Sequence, residues 1–237
     1  MIKLKAIAYE HELLYERACT YARELDLVLD LQMLPRLCLS LSKLSLILEN
    51  FSPLFVDLSP YGQKSRLKWK NQALVRACKP RLGMKIVDAT PGWGRDAVIL
   101  SSFGAEVLMV ERNAVMAALL ADGISRRGGV NTPSLNLLAM DAKDYLRNLS
   151  ASDCPDLIYL DPMHPMRRNS ALVKKDMQAL QQLIGVDYDA YELLALAITR
   201  AARVVLKWPQ HLAPLLPPDR SIGTDTVRFD IYLNKTQ

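Results

Sequence analysis

Two patterns of apolar spacing divide the chain. Up to about residue 60 the apolar residues fall in short alternating or clustered runs. That pattern predicts a strand at 3–9, then a helix over 10–24 with Leu13, Leu14, Ala18 and Tyr21 at helical spacing. Residues 36–42 alternate strictly and predict a half-buried strand. Further strands are expected at 43–48 and 54–58. Ser59-Pro60-Tyr61-Gly62 is turn chemistry. It predicts a boundary between a small, strand-rich N-terminal α+β domain, 1–60, and a larger domain, 61–237.

Beyond that turn, apolar runs of strand length alternate with stretches of helical period. Strands are expected at 85–88, 106–110, 135–140, 156–160, 202–207 and 228–233. Helices are expected at 72–77, stopped by Pro80 and Gly83, then at 95–103, with Gly104 as its stop, and at 114–126, capped by Asn113. Three more follow at 142–148, 170–184 and 190–201. Strands alternating with helices imply an α/β fold, a doubly wound and mostly parallel sheet. Ligands of such sheets bind at the carboxyl ends of the strands.

Two strand ends carry chemistry. The run Val87-Asp88-Ala89-Thr90-Pro91 leads into Gly92-Trp93-Gly94-Arg95-Asp96-Ala97, which matches the G-x-G-x-x-G/A pattern between a strand and a helix. Such glycines let backbone approach a ligand closely. Glu111 ends the next strand, where an acid can accept both ribose hydroxyls of an adenosine. Asp88 and Asp96 separate the two cofactors that use this cradle. A pyrophosphate at the helix N-terminus would be repelled by them, whereas the ammonium and sulfonium of S-adenosyl-L-methionine would be held. A methyl donor is therefore expected, and a nicotinamide dinucleotide is the lesser reading. After the third strand, Asp141, Lys143 and Asp144 are candidates for the adenine amine, with helix capping the plain alternative for Asp141.

The second strand end is Leu160-Asp161-Pro162-Met163-His164. The lone pair of a nucleobase amine is delocalised into its ring, so the amine must be gripped and oriented. An Asp side chain and the carbonyl after it can accept its two N–H bonds, and proline stiffens the turn. Asp161 and Pro162 are thus expected to form an amine clamp, with His164 stacking on an extruded base. Arg167, Arg168, Lys174 and Lys175 follow, placed to meet flanking phosphates; a solvated helix face is the rival for the two lysines.

Charge supports a nucleic-acid substrate. The net charge is +5, but residues 1–60 hold 6 basic and 8 acidic residues, and the excess of base lies beyond. No acid occurs from Tyr61 to Lys85, a span holding Lys64, Arg66, Lys68, Lys70, Arg76, Lys79, Arg81 and Lys85 beside Tyr61 and Trp69. A one-sign run with aromatics fits a phosphate-contacting surface, and Lys68 and Lys70 are taken as substrate contacts. No apolar run reaches the ~18 residues of a membrane span, and the N-terminus lacks a signal-peptide core. Cys19, Cys38, Cys78 and Cys154 are widely separated, so neither a metal centre nor a disulfide framework is expected. The cytoplasm is the expected compartment.

These motifs resemble the RsmJ family of bacterial small-subunit ribosomal RNA guanine-N2 methyltransferases. The likeness is carried by Asp88-Ala89-Thr90 with Gly92 and Gly94-Arg95-Asp96, by Glu111-Arg112-Asn113 with Ala117-Ala118-Leu119-Leu120, and by Tyr159-Leu160-Asp161-Pro162-Met163. Ser170-Ala171-Leu172-Val173-Lys174-Lys175 and Arg228-Phe229-Asp230-Ile231-Tyr232 complete it. The resemblance implies a Rossmann-like methyltransferase fold, S-adenosyl-L-methionine as cofactor, and methylation of one guanine near the 3′ end of 16S ribosomal RNA, free or in the small ribosomal subunit. It implies cofactor contacts at Arg95, Asp96, Glu111, Arg112 and Asp161, and at the Lys143-Asp144 position. The chain departs from the family at His164, where a Phe is usual, at Trp208, where a basic residue is usual, and at 65–72, basic but without glycine. An adenine-N6 DNA methyltransferase and a non-catalytic RNA-binding module are the alternatives. Met163-His164 and the lack of a target-recognition domain count against the first, and intact Asp161 against the second.

Overall fold

The computed structural model describes residues 3–58, 69–127, 134–164 and 175–234. The described residues form two sheets. The smaller has the order β2-β1-β3-β4, with β1 (Ala6–Tyr9) parallel to β2 (Val28–Leu29) and to β3 (Arg36–Leu39), and β3 antiparallel to β4 (Leu44–Ile47). The helix expected over 10–24 is a 3-10 turn, Glu12–Leu14, running into α1 (Tyr15–Glu24). The strand expected at 54–58 is not one: Leu54 makes a single bridge to Leu46. Its alternating Val56 and Leu58 are buried, but against a helix of the larger unit. Alternation reports one-sided burial, and a helix serves as well as a sheet to supply it. The expected boundary at residue 60 falls outside the described residues.

The larger sheet has seven strands in the order β10-β11-β9-β8-β5-β6-β7. They are β5 (Lys85–Asp88), β6 (Glu106–Glu111), β7 (Leu135–Ala139), β8 (Leu157–Leu160), β9 (Arg203–Pro209), β10 (Arg220–Gly223) and β11 (Val227–Leu233). The first five are parallel, and β11 is antiparallel to both its neighbours. The helices are α2 (Ala73–Cys78), α3 (Arg95–Ser101), α4 (Ala114–Arg126), α5 (Ala142–Asn148), α6 (Lys175–Ile184) and α7 (Ala190–Ile198). The expected doubly wound α/β architecture is thus observed. Residues 170–174 of the expected sixth helix lie outside the described residues.

Strand pleating splits the core in two. Ile86, Leu157, Tyr159 and Val205 face one layer, with α3 and α4, and share it with the core of the small sheet. Val87, Ile158, Leu160, Val204 and Leu206 face the other, with α5 and α7. The small sheet is anchored where Val56 meets Gly123 of α4. A Cβ there would lie 2.4 Å from Val56 Cγ1, so glycine permits the approach, and Arg126 donates to the Val56 carbonyl. The chain winds outward from β5 to β7, then restarts at β8 on the other side of β5. Crossovers diverge there and leave a crevice at the carboxyl ends.

Candidate functional site

That crevice opens into a cavity of about 890 Å3. Asp88, Ala89, Thr90, Gly92, Trp93, Arg95 and Asp96 line its β5 side, and Glu111, Arg112 and Asn113 come from the β6 tip. Asp141 and Lys143 follow β7, Asp161 to His164 follow β8, and Lys207 comes from β9. Residues 184–189, between α6 and α7, form the opposite rim. Among the described residues, seven carboxylates against four Lys or Arg side chains line the cavity, an excess of acid that suits a cation and opposes a pyrophosphate.

The turn after β5 is made by Gly92 (φ +50°) and Gly94 (φ +72°), the latter at the N-cap of α3. Gly94 faces inward, where a Cβ would lie 3.0 Å from Leu120 Cδ2. It shapes the loop without lining the cavity. Asp88 is almost fully buried and accepts from the Thr90 N–H at 3.2 Å. Burial, with Asp96 close by, pushes its carboxyl well above the ordinary carboxylate range. Glu111 is buried too. One oxygen takes the Asn113 N–H at 2.7 Å, and burial pushes its pKa up to about 7.

The Asp161 N–H donates to Thr90 Oγ1 at 2.5 Å, which ties the β8 turn to the β5 turn. The Asp161 carboxylate accepts from Lys207 Nζ at 2.7 Å, and the same ammonium lies 3.3 Å from Asp96 Oδ2. Tyr159 donates its hydroxyl to that Asp96 oxygen at 2.6 Å. Burial raises the Asp161 carboxyl, with Lys207 opposing the rise. Burial works against the Lys207 charge, yet Asp161 and Asp96 hold its ammonium above the usual range. The His164 ring sits 6.0 Å from that of Trp208, tilted by 51°.

The rim is held by ion pairs. Arg112 bonds Asp187 and, at 3.0 Å, Asp189; it lies 3.8 Å from Asp141. Lys143 bonds Asp189 at 2.8 Å and Glu192 at 3.1 Å. Asp187 Oδ2 accepts from the Met163 N–H at 2.6 Å, and its own N–H donates to the Met163 carbonyl at 2.7 Å. Tyr188 lies on this rim with 89% of its surface exposed.

The structure therefore brings together Asp88, Gly92, Arg95, Asp96, Glu111, Arg112, Asp141, Lys143, Asp161, Pro162 and His164. Asp141 also caps α5, accepting from the Lys143 N–H at 2.8 Å, so the capping and cavity readings coexist. Asp144 is not in the cavity: it sits on the outer face of α5, paired with Arg147 at 2.9 Å. Lys70 is exposed on the turn before α2, away from the cavity, and Lys175 opens α6. Lys68, Arg167, Arg168 and Lys174 lie outside the described residues. Lys207, Asp187 and Tyr188 carry no motif. Only the pairing of β8 with β9 and the return of the chain after α6 bring them to the site. Among the described residues no group of three His, Cys, Asp or Glu is placed to hold a metal, and no helix is long and apolar enough to cross a membrane.

The donor set fits S-adenosyl-L-methionine. The Glu111 carboxylate suits a ribose diol, Asp88 and Asp96 an ammonium, Arg95 a carboxylate, and Asp141 an adenine amine. Residues 20–234 match a family model described as "Putative SAM-dependent methyltransferase". A protein of Legionella pneumophila (strain Corby) named ribosomal RNA small subunit methyltransferase J is 53% identical over 98% of both chains. One of the same name from Coxiella burnetii (strain Dugway 5J108-111) is 42% identical over 77% of this chain and 76% of its own. The crystal structure of a SAM-dependent methyltransferase from Neisseria gonorrhoeae superposes with a TM-score of 0.71 at 26% identity. It covers 98% of this chain and 97% of the other.

Proposed function

The chain belongs to the family of SAM-dependent methyltransferases that includes the small-subunit ribosomal RNA methyltransferase J proteins, and from that premise we propose that it methylates the exocyclic N2 of one guanine near the 3′ end of 16S ribosomal RNA. The substrate is that RNA, free or within the small ribosomal subunit, and the cytoplasm is where they meet. The observation that carries this reading is Asp161. It follows β8 beside a proline, lines the cavity next to the cradle turn, and is ionically paired to Lys207.

S-adenosyl-L-methionine, when bound, supplies a methyl group made electrophilic by its positive sulfur. Glu111 would accept the ribose hydroxyls at the tip of β6. Asp88 and Asp96 hold the ammonium end, and Arg95 meets the carboxylate. Arg112 and Lys143 shape the adenine side through Asp141, Asp187 and Asp189. Asp161 and the Pro162 carbonyl accept the two N–H bonds of the guanine amine and aim its lone pair. Positioning of this kind lowers a barrier by about 7–11 kcal/mol when geometry is good. His164, backed by Trp208, and Tyr188 on the opposite rim offer flat faces to the extruded base and its neighbour.

The test is transfer from labelled donor to small-subunit RNA, followed by nucleoside analysis. N2-methylguanosine is expected from the unaltered protein. Asp161→Ala is expected to lose about 1000-fold or more in rate while the protein still folds. N6-methyladenosine as product would transfer the reading to an adenine enzyme, and full activity in Asp161→Ala would remove the clamp.

A further inference from the structure

Lys207 is a half-buried cation in this site, and neither the donor cradle nor the amine clamp accounts for it. The pairing of β8 with β9 sets Leu160 beside Leu206, so the next residues, Asp161 and Lys207, emerge side by side. The two-residue period of the pleat sends Tyr159, Asp161 and Lys207 to one face, the face on which α3 presents Asp96. The ammonium then bridges Asp161 Oδ2 and Asp96 Oδ2 at 2.7 and 3.3 Å. With Oδ2 committed, the other oxygen of Asp161 is the acceptor left for an incoming N–H.

The surroundings explain why a cation is needed. Asp161 faces Lys207 from β9, Asp96 from α3, Asp88 from the tip of β5, Tyr159 from β8, and His164 from its own loop. Carboxylates sharing so small a space favour the protonated form of at least one of them. A protonated Asp161 would keep one acceptor oxygen but lose the charge that pairs with Lys207 and strengthens the bond to an amine N–H.

We propose that Lys207 is the positioning residue of the amine clamp: it keeps Asp161 a carboxylate within this cluster of acids and turns its Oδ1 toward the amine to be methylated. The inference rests on the reading of Asp161 as the amine acceptor. It also assigns Asp96 a double task, since Asp96 shares the ammonium and, through Tyr159, is fixed at the donor side of the same cavity. Burial raises the Asp161 carboxyl, and the Lys207 ammonium is the largest influence against that rise.

The test uses the full chain without donor or RNA. Side-chain carboxyl resonances are followed by carbon-13 NMR against pH, with Asp161 assigned by its absence in Asp161→Asn. Lys207→Met, which removes the charge and keeps the reach, should raise the Asp161 midpoint by about one unit or more, and Lys207→Arg should restore most of it. In methyl transfer the acid limb of the rate profile should move the same way. Lys207→Met should then be slower by up to about tenfold at pH values below both midpoints and close to the unaltered enzyme well above them, as one unit of displacement requires. An unchanged Asp161 midpoint, or a rate loss equal at every pH, would overturn the proposal. If Lys207→Met does not fold, Asp161→Asn decides: the Lys207 ammonium must titrate at lower pH in that variant, and no change sinks the idea. Failure of the unaltered protein to methylate small-subunit RNA would sink the functional reading instead, and the titrations, made without RNA, would still give their own answer.

Discussion

At the scale of single residues the site is a set of buried acids kept for a ligand at some cost to the fold. Glu111 shows the sign most clearly. Its folded pKa of about 7 lies above its ordinary 4.5. A carboxyl raised in this way contributes stability that is fully present below 4.5 and lost as pH rises through about 7. Glu111→Gln cannot ionise, so without ligand it should match the unaltered protein near pH 4.5 and exceed it by roughly 1–3 kcal/mol at pH 8.5. Donor affinity should fall about tenfold or more, since the ribose acceptor becomes a half-donor amide. Thermal melts at the two pH values and calorimetry with S-adenosyl-L-methionine check both; a melting difference independent of pH would contradict the burial account. These acids were legible in the sequence because each ends an apolar run, where a doubly wound sheet puts its ligands. Lys207 was not, because it ends a run as an ordinary surface lysine would. Only the register of β8 against β9 reveals its partner.

At the scale of elements, two close approaches hold the site in shape. Gly123 of α4 lets Val56 lie against the helix, and Gly123→Ala forces a Cβ to within 2.4 Å of Val56 Cγ1. Overpacking of this kind costs about 1–3 kcal/mol, against a helix-propensity gain of about 1 kcal/mol. Net destabilisation with loosening of the small sheet is expected, read as a lower denaturation midpoint and faster amide exchange in β4. An unchanged midpoint would mean that Val56 yields without cost. The loop 185–189 is the second device. Asp187 clasps Met163 while Tyr188 stands in solvent at the rim. Stacking of one base on an aromatic is worth about 1–3 kcal/mol. Tyr188→Ala should therefore raise the KM for RNA about tenfold with little change in stability, and Tyr188→Phe should not; equal effects from both would rule out stacking. Helices and central strands were legible because burial stamps a period on them. β2 and β10 were not: Val28 and Leu29 are exposed, and Arg220–Gly223 is an exposed edge, so neither carries a burial pattern. The run at 54–58 misled for the converse reason, being buried without being paired.

At the scale of the whole molecule, charge and topology were legible together. The alternation of strand and helix beyond residue 61 implied the parallel sheet, and the +5 net charge, concentrated in that part, implied a polyanion. The cavity itself is acidic, so binding energy for RNA must come from basic residues around it, and its affinity should fall steeply with salt. Each phosphate contact should contribute about 0.7 to the slope of log affinity against log salt for single-stranded RNA. A filter-binding series from low to high salt should give a slope of several contacts, and a flat series would remove the basic surface from the account. The central claim is that this cradle and clamp deliver a methyl group to one guanine amine of the small-subunit RNA. It is tested most directly by mass-spectrometric mapping of that RNA from cells lacking the protein, restored with either the unaltered chain or Asp161→Ala. The account predicts one N2-methylguanine near the 3′ end that vanishes on deletion, returns with the unaltered chain and stays absent with Asp161→Ala; an RNA whose methyl groups are identical in all three strains would contradict it.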